Sequence, residues 1–354
     1  MSRFLSERLS GLSPYTPGEQ PRTKDLIKLN TNENPYPPAP GVVSVIDKAV
    51  LKDLRLYSDP ETRSFTQALA ERYEVSPSQV FTGNGSDMVL SVCFQAFCDH
   101  KHGISFPDIT YGFYPVLCSL YGIPFRRIPL RDDFTIRASD YANTDGMIVI
   151  ANPNAPTGLE MPLSEIEKLL IAHPNQIVIM DEAYSAFGSQ SAVPLIGKYE
   201  NLIVVSTFSK SYNLAGARLG FAFGSSSVID DLIRIKNSYD PYAINSLSLL
   251  CGVEALKDTE YFSSCISRIR DTRAYFTEAM RGIGFTVLDS SANFVFTRPD
   301  GKDTLRYVRY LRENRILVRH FDQPRIRDYA RITIGTRADM ETVVSVSESF
   351  MKEV

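Results

Sequence analysis

Short apolar runs alternate with segments of helical period through the middle of the chain. The runs are Gly103–Phe106, Met147–Ile150, Gln176–Met180, Leu202–Val205 and Leu219–Phe223. Between them, stretches such as Leu163–Ile171 repeat apolar residues every three to four positions. Continuous apolar runs are typical of strands that are covered on both faces. The pattern therefore predicts an α/β fold with a largely parallel sheet and helices on both sides.

The pattern changes beyond about residue 255. The elements predicted there are a long helix at Glu260–Arg281, strands at Phe285–Leu288 and Asn293–Thr297, a helix at Lys302–Asn314, strands at Ile316–Val318 and Arg331–Ile334, and a last helix at Ala338–Met351. The first forty residues are rich in proline and favour an extended arm. We therefore expect an arm (1–38) that belongs to a small domain, a large domain (39–254), and the small domain itself (255–354).

The composition limits the classes of molecule that the protein is expected to bind. The 354 residues include 38 Lys and Arg against 41 Asp and Glu, a net charge of −3 that gives no basic surface for nucleic acid or anionic lipid. No apolar run approaches the roughly 18 residues of a membrane span. The five cysteines form no close pairs and are typical of buried thiols in a reducing compartment. We expect a cytoplasmic protein with small-molecule partners and no metal.

A lysine follows one of the buried runs. Ser206-Thr207-Phe208-Ser209-Lys210 comes directly after Leu202–Val205, so Lys210 is expected at the carboxyl edge of the sheet, where such sheets bind ligands. A desolvated lysine amine can bond an aldehyde cofactor, and the Thr207 and Ser209 hydroxyls with Arg218 could hold its phosphate. Taken alone, the motif also fits an exposed, ion-paired lysine.

A carboxylate ends another buried run. In Ile177–Tyr184 the apolar strand stops at Asp181, and a buried carboxylate needs a partner. In a pyridoxal-phosphate site that partner is the pyridine nitrogen, while Tyr184 could reach the phenolic oxygen. The alternative is an aspartate that caps the following helix.

Three further motifs suit the same ligand. Gly85-Ser86-Asp87 follows a glycine turn and opens a helix whose free N–H groups could cradle phosphate, although Ser86 could also be only an N-cap. Tyr111 could stack on a ring or belong to the core. Arg331 could clamp a carboxylate with two parallel hydrogen bonds or form a surface ion pair.

A run of turn-forming residues, 152–158, also leaves the sheet after Met147–Ile150. In their order and spacing, these six motifs resemble the fold-type I aminotransferases, and most closely the histidinol-phosphate aminotransferase family. The resemblance spans nearly the whole chain, including Leu12–Tyr15, Leu29–Pro35, Tyr57 and Leu317–Arg319. It implies a mostly parallel seven-stranded sheet sandwiched by helices in a large cofactor-binding domain, a smaller α+β domain, and pyridoxal 5′-phosphate as cofactor.

The resemblance also implies a role for each matching residue. Lys210, Asp181 and Tyr184 would be catalytic, as the Schiff-base lysine and the partners of the pyridine nitrogen and the phenolic oxygen. The other cofactor contacts would come from Gly85, Ser86, Asp87, Tyr111, Asn154, Thr207, Ser209, Arg218 and, from the second subunit of a homodimer, Tyr57. Substrate would be bound by Tyr15, Asn32, Arg319 and Arg331.

Two positions depart from the family. Ala155 stands before Pro-Thr-Gly, where the family typically has an asparagine that bonds the phenolic oxygen. Alanine cannot make that bond, so either Tyr184 carries the contact alone or Asn154 moves into it. The lost bond corresponds to about 1.5–3 kcal/mol, enough to retune the cofactor. Met88 replaces the acidic residue that often follows Asp87.

The reaction implied is amino transfer from histidinol phosphate to 2-oxoglutarate, giving imidazole acetol phosphate and glutamate in histidine biosynthesis. Three alternatives stay open on the same frame. An aromatic amino-acid aminotransferase would differ only around Tyr15, Phe113 and Arg319. A decarboxylase of the threonine-phosphate type would release carbon dioxide. A weakly active protein that binds pyridoxal phosphate would fit the loss of the asparagine at 155.

Overall fold

The computed structural model describes residues 4–21, 25–46, 51–188 and 190–353. Residues 1–3, 22–24, 47–50, 189 and 354, which fall within the three predicted parts, lie outside the described residues. The strands are β1 (Ile27–Lys28), β2 (Val80–Asn84), β3 (Ile104–Pro107), β4 (Phe125–Ile128), β5 (Met147–Ala151), β6 (Val178–Asp181), β7 (Leu202–Thr207), β8 (Leu219–Phe223), β9 (Phe285–Val287), β10 (Phe294–Pro299), β11 (Ile316–Leu317), β12 (Arg319–His320) and β13 (Ala330–Thr333).

The α-helices follow the same chain order. They are α1 (Pro40–Ser44), α2 (Arg63–Tyr73), α3 (Gly85–Phe97), α4 (Tyr114–Tyr121), α5 (Leu163–Ala172), α6 (Phe208–Ser211), α7 (Ser226–Tyr239), α8 (Ser246–Lys257), α9 (Thr259–Gly282), α10 (Thr304–Glu313) and α11 (Arg337–Lys352). Within the described residues, no helix is both long and apolar enough to cross a membrane.

Across the described residues, seven strands form the large sheet in the order β2-β8-β7-β6-β5-β3-β4. The strands from β7 to β4 pair in parallel, while β8 runs antiparallel to both of its neighbours. The predicted α/β fold with a mostly parallel seven-stranded sheet is confirmed. Strand β4 had no clear sequence signal, because three of its four residues are exposed at the sheet edge.

Both faces of this sheet are covered, which explains its continuous apolar runs. Ile148 and Ile150 of β5 pack into one hydrophobic cluster, while Met147 and Val149 of the same strand pack into another on the opposite face. Successive side chains of a strand point to opposite faces, so a strand between two layers of helices must be apolar at every position. Four of the five cysteines are buried in the structure, and Cys98 is partly buried.

A second, antiparallel sheet lies in the carboxy-terminal part, in the order β12-β13-β10-β9. Strand β1 of the amino-terminal arm pairs in parallel with β11, with Ile27 opposite Ile316. The arm is thus hydrogen-bonded to the carboxy-terminal part of the chain. The predicted boundary at 254/255 falls inside α8, so we propose that the small domain begins at Asp258, between α8 and α9.

The register of the large sheet sets the position of the chemistry. Ala151 at the end of β5 lies opposite Asp181 at the end of β6, and Asp181 lies opposite Val205 of β7. The short helix α6, which carries Lys210, begins directly after β7. The exits of three neighbouring strands therefore open on the same edge of the sheet.

The start of α3 is brought to the same edge by close backbone packing. A Cβ atom at Gly220 of β8 would lie 2.3 Å from the carbonyl carbon of Gly85 and from the Ser86 nitrogen. Glycine at 220 is therefore what lets β8 approach the first turn of the helix.

Candidate active site

A cavity of about 880 Å³ opens at the carboxyl edge of the large sheet. Most of the predicted site residues line it: Tyr15, Asn32, Ser86, Asp87, Tyr111, Asp181, Tyr184, Thr207, Ser209, Lys210, Arg218, Arg319 and Arg331. Gly85, Asn154 and Tyr57 do not. Side chains from the arm, the large sheet and the carboxy-terminal part therefore meet around one space.

The amine of Lys210 lies in the cavity wall. It donates a hydrogen bond to the backbone carbonyl of Thr31, 2.9 Å away, and lies 5.9 Å from the centre of the Tyr184 ring. Burial, followed by the positive charge of Arg331, lowers the pKa of Lys210 to about 8. Roughly one tenth of the amine is then neutral at pH 7, far more than for an ordinary lysine, and the neutral form is the one that acts as nucleophile or base.

Asp181 is buried at the end of β6. The Tyr114 hydroxyl donates to one carboxylate oxygen at 2.7 Å, and the Ala183 N–H donates to the other at 3.3 Å. Burial raises the pKa of Asp181 to about 6, although both hydrogen bonds oppose the rise. The carboxylate has no cationic side chain as partner in the described part of the chain, so a positively charged ligand group would stabilise its ionised form.

Tyr184 is fixed on two sides. Its ring packs edge-to-face against Phe294, with the ring centres 5.1 Å apart. Its hydroxyl oxygen accepts a hydrogen bond of 2.9 Å from the side-chain amide of Asn32. Burial raises the pKa of Tyr184, so the residue is a neutral hydrogen-bond donor at working pH.

A cationic cradle stands at the start of α3. The Arg218 guanidinium lies 3.1 Å from a carboxylate oxygen of Asp87, whose other oxygen accepts a hydrogen bond from Tyr111 at 2.9 Å. A Cβ atom at Gly85, where φ is +78°, would lie 2.6 Å from the Arg218 guanidinium. Glycine at 85 thus leaves room for the guanidinium above the helix start. Arginine and free helix N–H groups together favour an anion.

Two hydroxyls complete the cradle from α6. The Thr207 oxygen accepts from the Ser209 N–H at 3.1 Å and caps the helix, while the two side-chain oxygens lie 3.0 Å apart. Because Thr207 holds the first turn of α6, it sets the direction of both Ser209 and Lys210.

Arg331, in strand β13, also lines the cavity. One guanidinium nitrogen donates to the Asn30 carbonyl at 2.9 Å, and the guanidinium lies over the rings of Phe294 and Phe321. Its buried Nε has no hydrogen-bond partner among the described residues. An arginine with an unused buried donor is suited to bind a carboxylate.

Arg319 and Tyr15 lie near the arm. The Arg319 guanidinium donates weakly to the Thr16 and Pro17 carbonyls, at 3.3 and 3.4 Å. The Tyr15 ring contacts Tyr111 and Phe113 edge-on, with ring centres 5.8 Å apart in each pair. The arm therefore contributes the Tyr15 ring to the cavity wall, and Arg319 of β12 is held to the arm only by long hydrogen bonds.

Asn154 does not line the cavity, and its predicted contact with the cofactor stays a prediction. Its side-chain oxygen accepts from the Thr110 hydroxyl at 2.8 Å, and its amide nitrogen donates to the Ile109 carbonyl and the Thr157 hydroxyl. Ile109 and Thr110 themselves line the cavity, but the amide nitrogen of Asn154 already donates to two acceptors within the protein. Ala155 does line the cavity and packs with Tyr184 and Phe294.

Tyr57 lies outside the cavity of its own chain. It is 83% exposed and stacks on Tyr242, with ring centres 4.5 Å apart. Its predicted contact with a cofactor phosphate in a second subunit therefore stays a prediction.

Sequence reasoning missed two contacts that hold the site. Tyr114, which donates to Asp181, was not among the predicted site residues, and the Thr31 carbonyl that binds Lys210 has no side-chain signal. Asn32 was expected to bind substrate, but both ends of its side chain are used within the protein. Within the described residues, no cluster of His, Cys, Asp or Glu is arranged to hold a metal.

The donor set fits pyridoxal phosphate. The cavity offers an amine with a lowered pKa, a buried carboxylate without a cationic partner, a tyrosine donor, and an anion cradle whose arginine occupies the space that a Cβ at Gly85 would fill. These groups match the aldehyde, the ring nitrogen, the phenolic oxygen and the phosphate of that molecule.

Comparisons with known proteins agree with this chemistry. The family model described as aminotransferase class I and II matches residues 24–346. Histidinol-phosphate aminotransferase 2 of Dechloromonas aromatica is 47% identical over 347 residues, which are 97% of this chain and 98% of the relative. Histidinol-phosphate aminotransferase of Acetobacter pasteurianus is 46% identical over 98% of this chain and 97% of its own.

A solved structure shows the same fold. Histidinol-phosphate aminotransferase from Sinorhizobium meliloti, in complex with pyridoxal-5′-phosphate, superposes with a TM-score of 0.82. The match covers 92% of this chain and 91% of that protein at 23% sequence identity.

The burial of Asp181 predicts a pH-dependent stability in the cofactor-free protein. An aspartate pKa of about 6, against about 3.9 in an unfolded chain, means that the folded state binds the extra proton between these values. Stability is then lost as the pH rises from about 4 to about 6, by up to about 3 kcal/mol. Asp181→Asn should remove this loss. Chemical denaturation at about pH 4.5 and pH 7 measures it, and an equal pH dependence in both proteins would contradict the assignment.

Proposed function

The chain belongs to the class I and II aminotransferases, and we propose that it transfers the amino group of histidinol phosphate to 2-oxoglutarate. It is an enzyme that depends on pyridoxal phosphate and acts on small amino and oxo-acid substrates. The specific donor is supported by full-length relatives that carry this name at 46–47% identity. The proposed products are imidazole acetol phosphate and glutamate.

The structural observation that carries the proposal is a pair of arginines, Arg319 and Arg331, that line the same cavity as Lys210. The donor presents a phosphate and the acceptor presents carboxylates, so the site must hold an anion in both half-reactions. Arg331 has an unused buried donor, and Arg319 is held only by long hydrogen bonds to the arm. We propose that Arg331 binds the substrate carboxylate and that Arg319, with Tyr15, faces the side chain or the phosphate.

The protein's own groups divide the remaining work. When bound, pyridoxal phosphate supplies the electron sink that makes the α-proton of the amine acidic. Asp181 keeps the ring nitrogen protonated, Tyr111 stacks on the ring, and the cradle of Ser86, Ser209 and Arg218 holds the phosphate. The Lys210 amine, with its lowered pKa, would take the α-proton of the substrate and deliver it to the former aldehyde carbon of the cofactor, on the other side of the shared nitrogen.

The active unit that we propose is a homodimer with shared sites. Tyr57 is the most exposed large hydrophobic residue of its region, and Leu54, Leu56 and Val43 near it in the chain are each at least half exposed. A second copy would cover these apolar side chains and place Tyr57 at its phosphate cradle. We also propose a cytoplasmic location, in line with the free cysteines; cell fractionation tests it.

An aromatic amino-acid donor is the second candidate. The rings of Tyr15, Tyr111 and Phe113 contact one another beside the cavity and could receive an aromatic side chain as well as an imidazole.

A donor screen at fixed 2-oxoglutarate decides between them. Histidinol phosphate should give a kcat/KM roughly 10- to 100-fold above those of phenylalanine and threonine phosphate, because only it combines an imidazole with a phosphate that can bind arginine. Lys210→Ala, the control, should lose turnover on every donor together with the visible absorbance of the bound cofactor. Preference for phenylalanine would support the second candidate, and carbon dioxide without a keto product would indicate a decarboxylase.

Replacing Arg331 by lysine tests the anion site. Lysine keeps the charge but cannot form two parallel hydrogen bonds, so kcat/KM should fall roughly 10- to 100-fold for 2-oxoglutarate. The matched control is Arg337→Lys, at an exposed arginine that pairs with Glu341, and it should behave like the wild type. Steady-state kinetics measure both, and a change of less than twofold at Arg331 would remove that residue from substrate binding.

Hybrid dimers test the shared site. When Tyr57→Ala and Lys210→Ala chains carrying different tags are expressed together, one site of each hybrid has both residues intact, provided that Tyr57 acts across the interface. Purified hybrids should then bind cofactor at one site with wild-type affinity and recover up to half of the wild-type turnover. Recovery no greater than half that of the Tyr57→Ala dimer would place Tyr57 elsewhere, and a monomeric wild type would end the dimer proposal.

A further inference from the structure

The side chain of Asn32 forms a buried link between Thr333 and Tyr184. Its amide nitrogen lies 2.9 Å from the Tyr184 hydroxyl, and its amide oxygen lies 3.0 Å from the Thr333 hydroxyl. Asn32 is only 1% exposed and Thr333 only 2%. Both ends of the amide are therefore satisfied without water or substrate.

The hydrogen bonds fix which way the amide faces. The Thr333 oxygen also accepts from the Asn32 backbone N–H at 3.0 Å, so its own hydrogen is free to go to the Asn32 side-chain oxygen. Because the Asn32 side-chain oxygen is the acceptor recorded for the Thr333 hydrogen among the described residues, the amide nitrogen is the end that faces Tyr184, and it can only donate. The Tyr184 oxygen consequently accepts from Asn32, and its hydroxyl hydrogen has to point in another direction.

That direction is the cavity. Among the described residues, Tyr184 has no hydrogen bond in which it donates, although its side chain lines the cavity wall beside Lys210. A buried hydroxyl seeks an acceptor for its hydrogen. The acceptor side of this group is taken by Asn32, which leaves the donor side for a ligand atom.

The backbone around Asn32 is held as firmly as its side chain. Its φ of 56° is in the left-handed region, which asparagine tolerates better than most residues, and its carbonyl accepts from the Asn293 side chain at 3.0 Å. The preceding carbonyl, that of Thr31, accepts from Lys210. One turn of the arm therefore contacts both the lysine and the tyrosine of the site.

Ala155 makes the hydrogen bond between Asn32 and Tyr184 more important for the site. It lies against Tyr184 and Phe294 and offers only a methyl group to the cavity, while the amide of Asn154 is engaged elsewhere. Neither residue can donate to the phenolic oxygen of the cofactor. Tyr184 is left as the donor on this side.

We propose that Asn32, oriented by Thr333, is a positioning residue that turns the Tyr184 hydroxyl hydrogen toward the phenolic oxygen of the cofactor. The inference rests on the proposed place of Tyr184 beside that oxygen. By donating to Tyr184, Asn32 also makes the tyrosine a stronger donor, since hydrogen bonds in a chain polarise one another. A donated hydrogen stabilises the ionised phenolic oxygen and makes the linked nitrogen of Lys210 easier to deprotonate.

The test is a pH titration of the visible absorbance of the bound cofactor. This absorbance reports whether the Lys210 nitrogen that is bonded to the cofactor is protonated. Asn32→Ala should raise the midpoint by about one pH unit, the size expected for weakening one hydrogen bond to a charged group. Thr333→Val should raise it by less, because the amide stays but loses its orientation, and Thr333→Ser should keep the wild-type midpoint. Should Asn32→Ala fold poorly, the two Thr333 variants carry the test.

Tyr184→Phe supplies the decisive background. In that variant the midpoint should already be raised. Adding Asn32→Ala should raise it no further, because the hydroxyl through which Asn32 acts is absent. An equal rise in both backgrounds, or a midpoint unchanged by Asn32→Ala and Thr333→Val while stability falls, would overturn the proposal. The titration needs no amine substrate, so its outcome is independent of which donor the enzyme prefers. A wild type without such absorbance would instead refute the proposed cofactor site.

Discussion

Burial of ionisable groups at the carboxyl edge of the large sheet is the constraint on which the site depends. Asp181 ends β6 and Lys210 follows the adjacent strand β7; the apolar runs of both strands are covered on both faces, so both groups stand where water is scarce. Burial moves both toward neutrality, with the pKa of the lysine at about 8 and that of the aspartate at about 6. A cofactor with an aldehyde and a protonated ring nitrogen matches both groups, because the aldehyde bonds the neutral amine and the ring N–H donates a hydrogen bond to the ionised carboxylate.

The amino-terminal arm joins the two sheets at this site. Its strand β1 pairs with β11, and its turn at residues 31–34 contacts Lys210 from two sides, through the Thr31 carbonyl and the Asn34 side chain. Asn32 in the same turn bonds Thr333 of β13 and Tyr184 beyond β6. The lysine, the tyrosine and the second sheet are thus connected through a few residues, so a displacement of the arm would reach the reacting groups directly.

Much of this arrangement could be predicted because the chemistry follows the strands in sequence. Strands β5, β7 and β8 are continuous apolar runs, and Asp181 and Lys210 stand at or just beyond the ends of such runs. Strand β4 was not predicted, because an edge strand with exposed arginines lacks that apolar pattern. The fold and the order of the motifs could therefore be predicted from patterns of neighbouring residues.

The features that the sequence did not reveal depend on contacts between residues distant in the chain. Asn154 is adjacent to the position where the family has its asparagine, yet its side-chain amide is hydrogen-bonded to Thr110 and to the Ile109 carbonyl. Asn32 was assigned to substrate because nothing local shows that Thr333, 301 residues later, occupies its side-chain oxygen. Tyr114 reaches Asp181 across 67 residues. Such partners are set by how helices and loops dock on the sheet, which one sequence does not reveal.

The central claim is that one amine, that of Lys210, holds the cofactor at this sheet edge. Reduction of the purified holoenzyme with borohydride makes the bond between lysine and cofactor permanent, and peptide mass spectrometry then locates it. The account predicts the reduced cofactor on the peptide that contains Lys210 and on no other. Its recovery on a different lysine, or an unmodified Lys210 in fully coloured enzyme, would contradict the account.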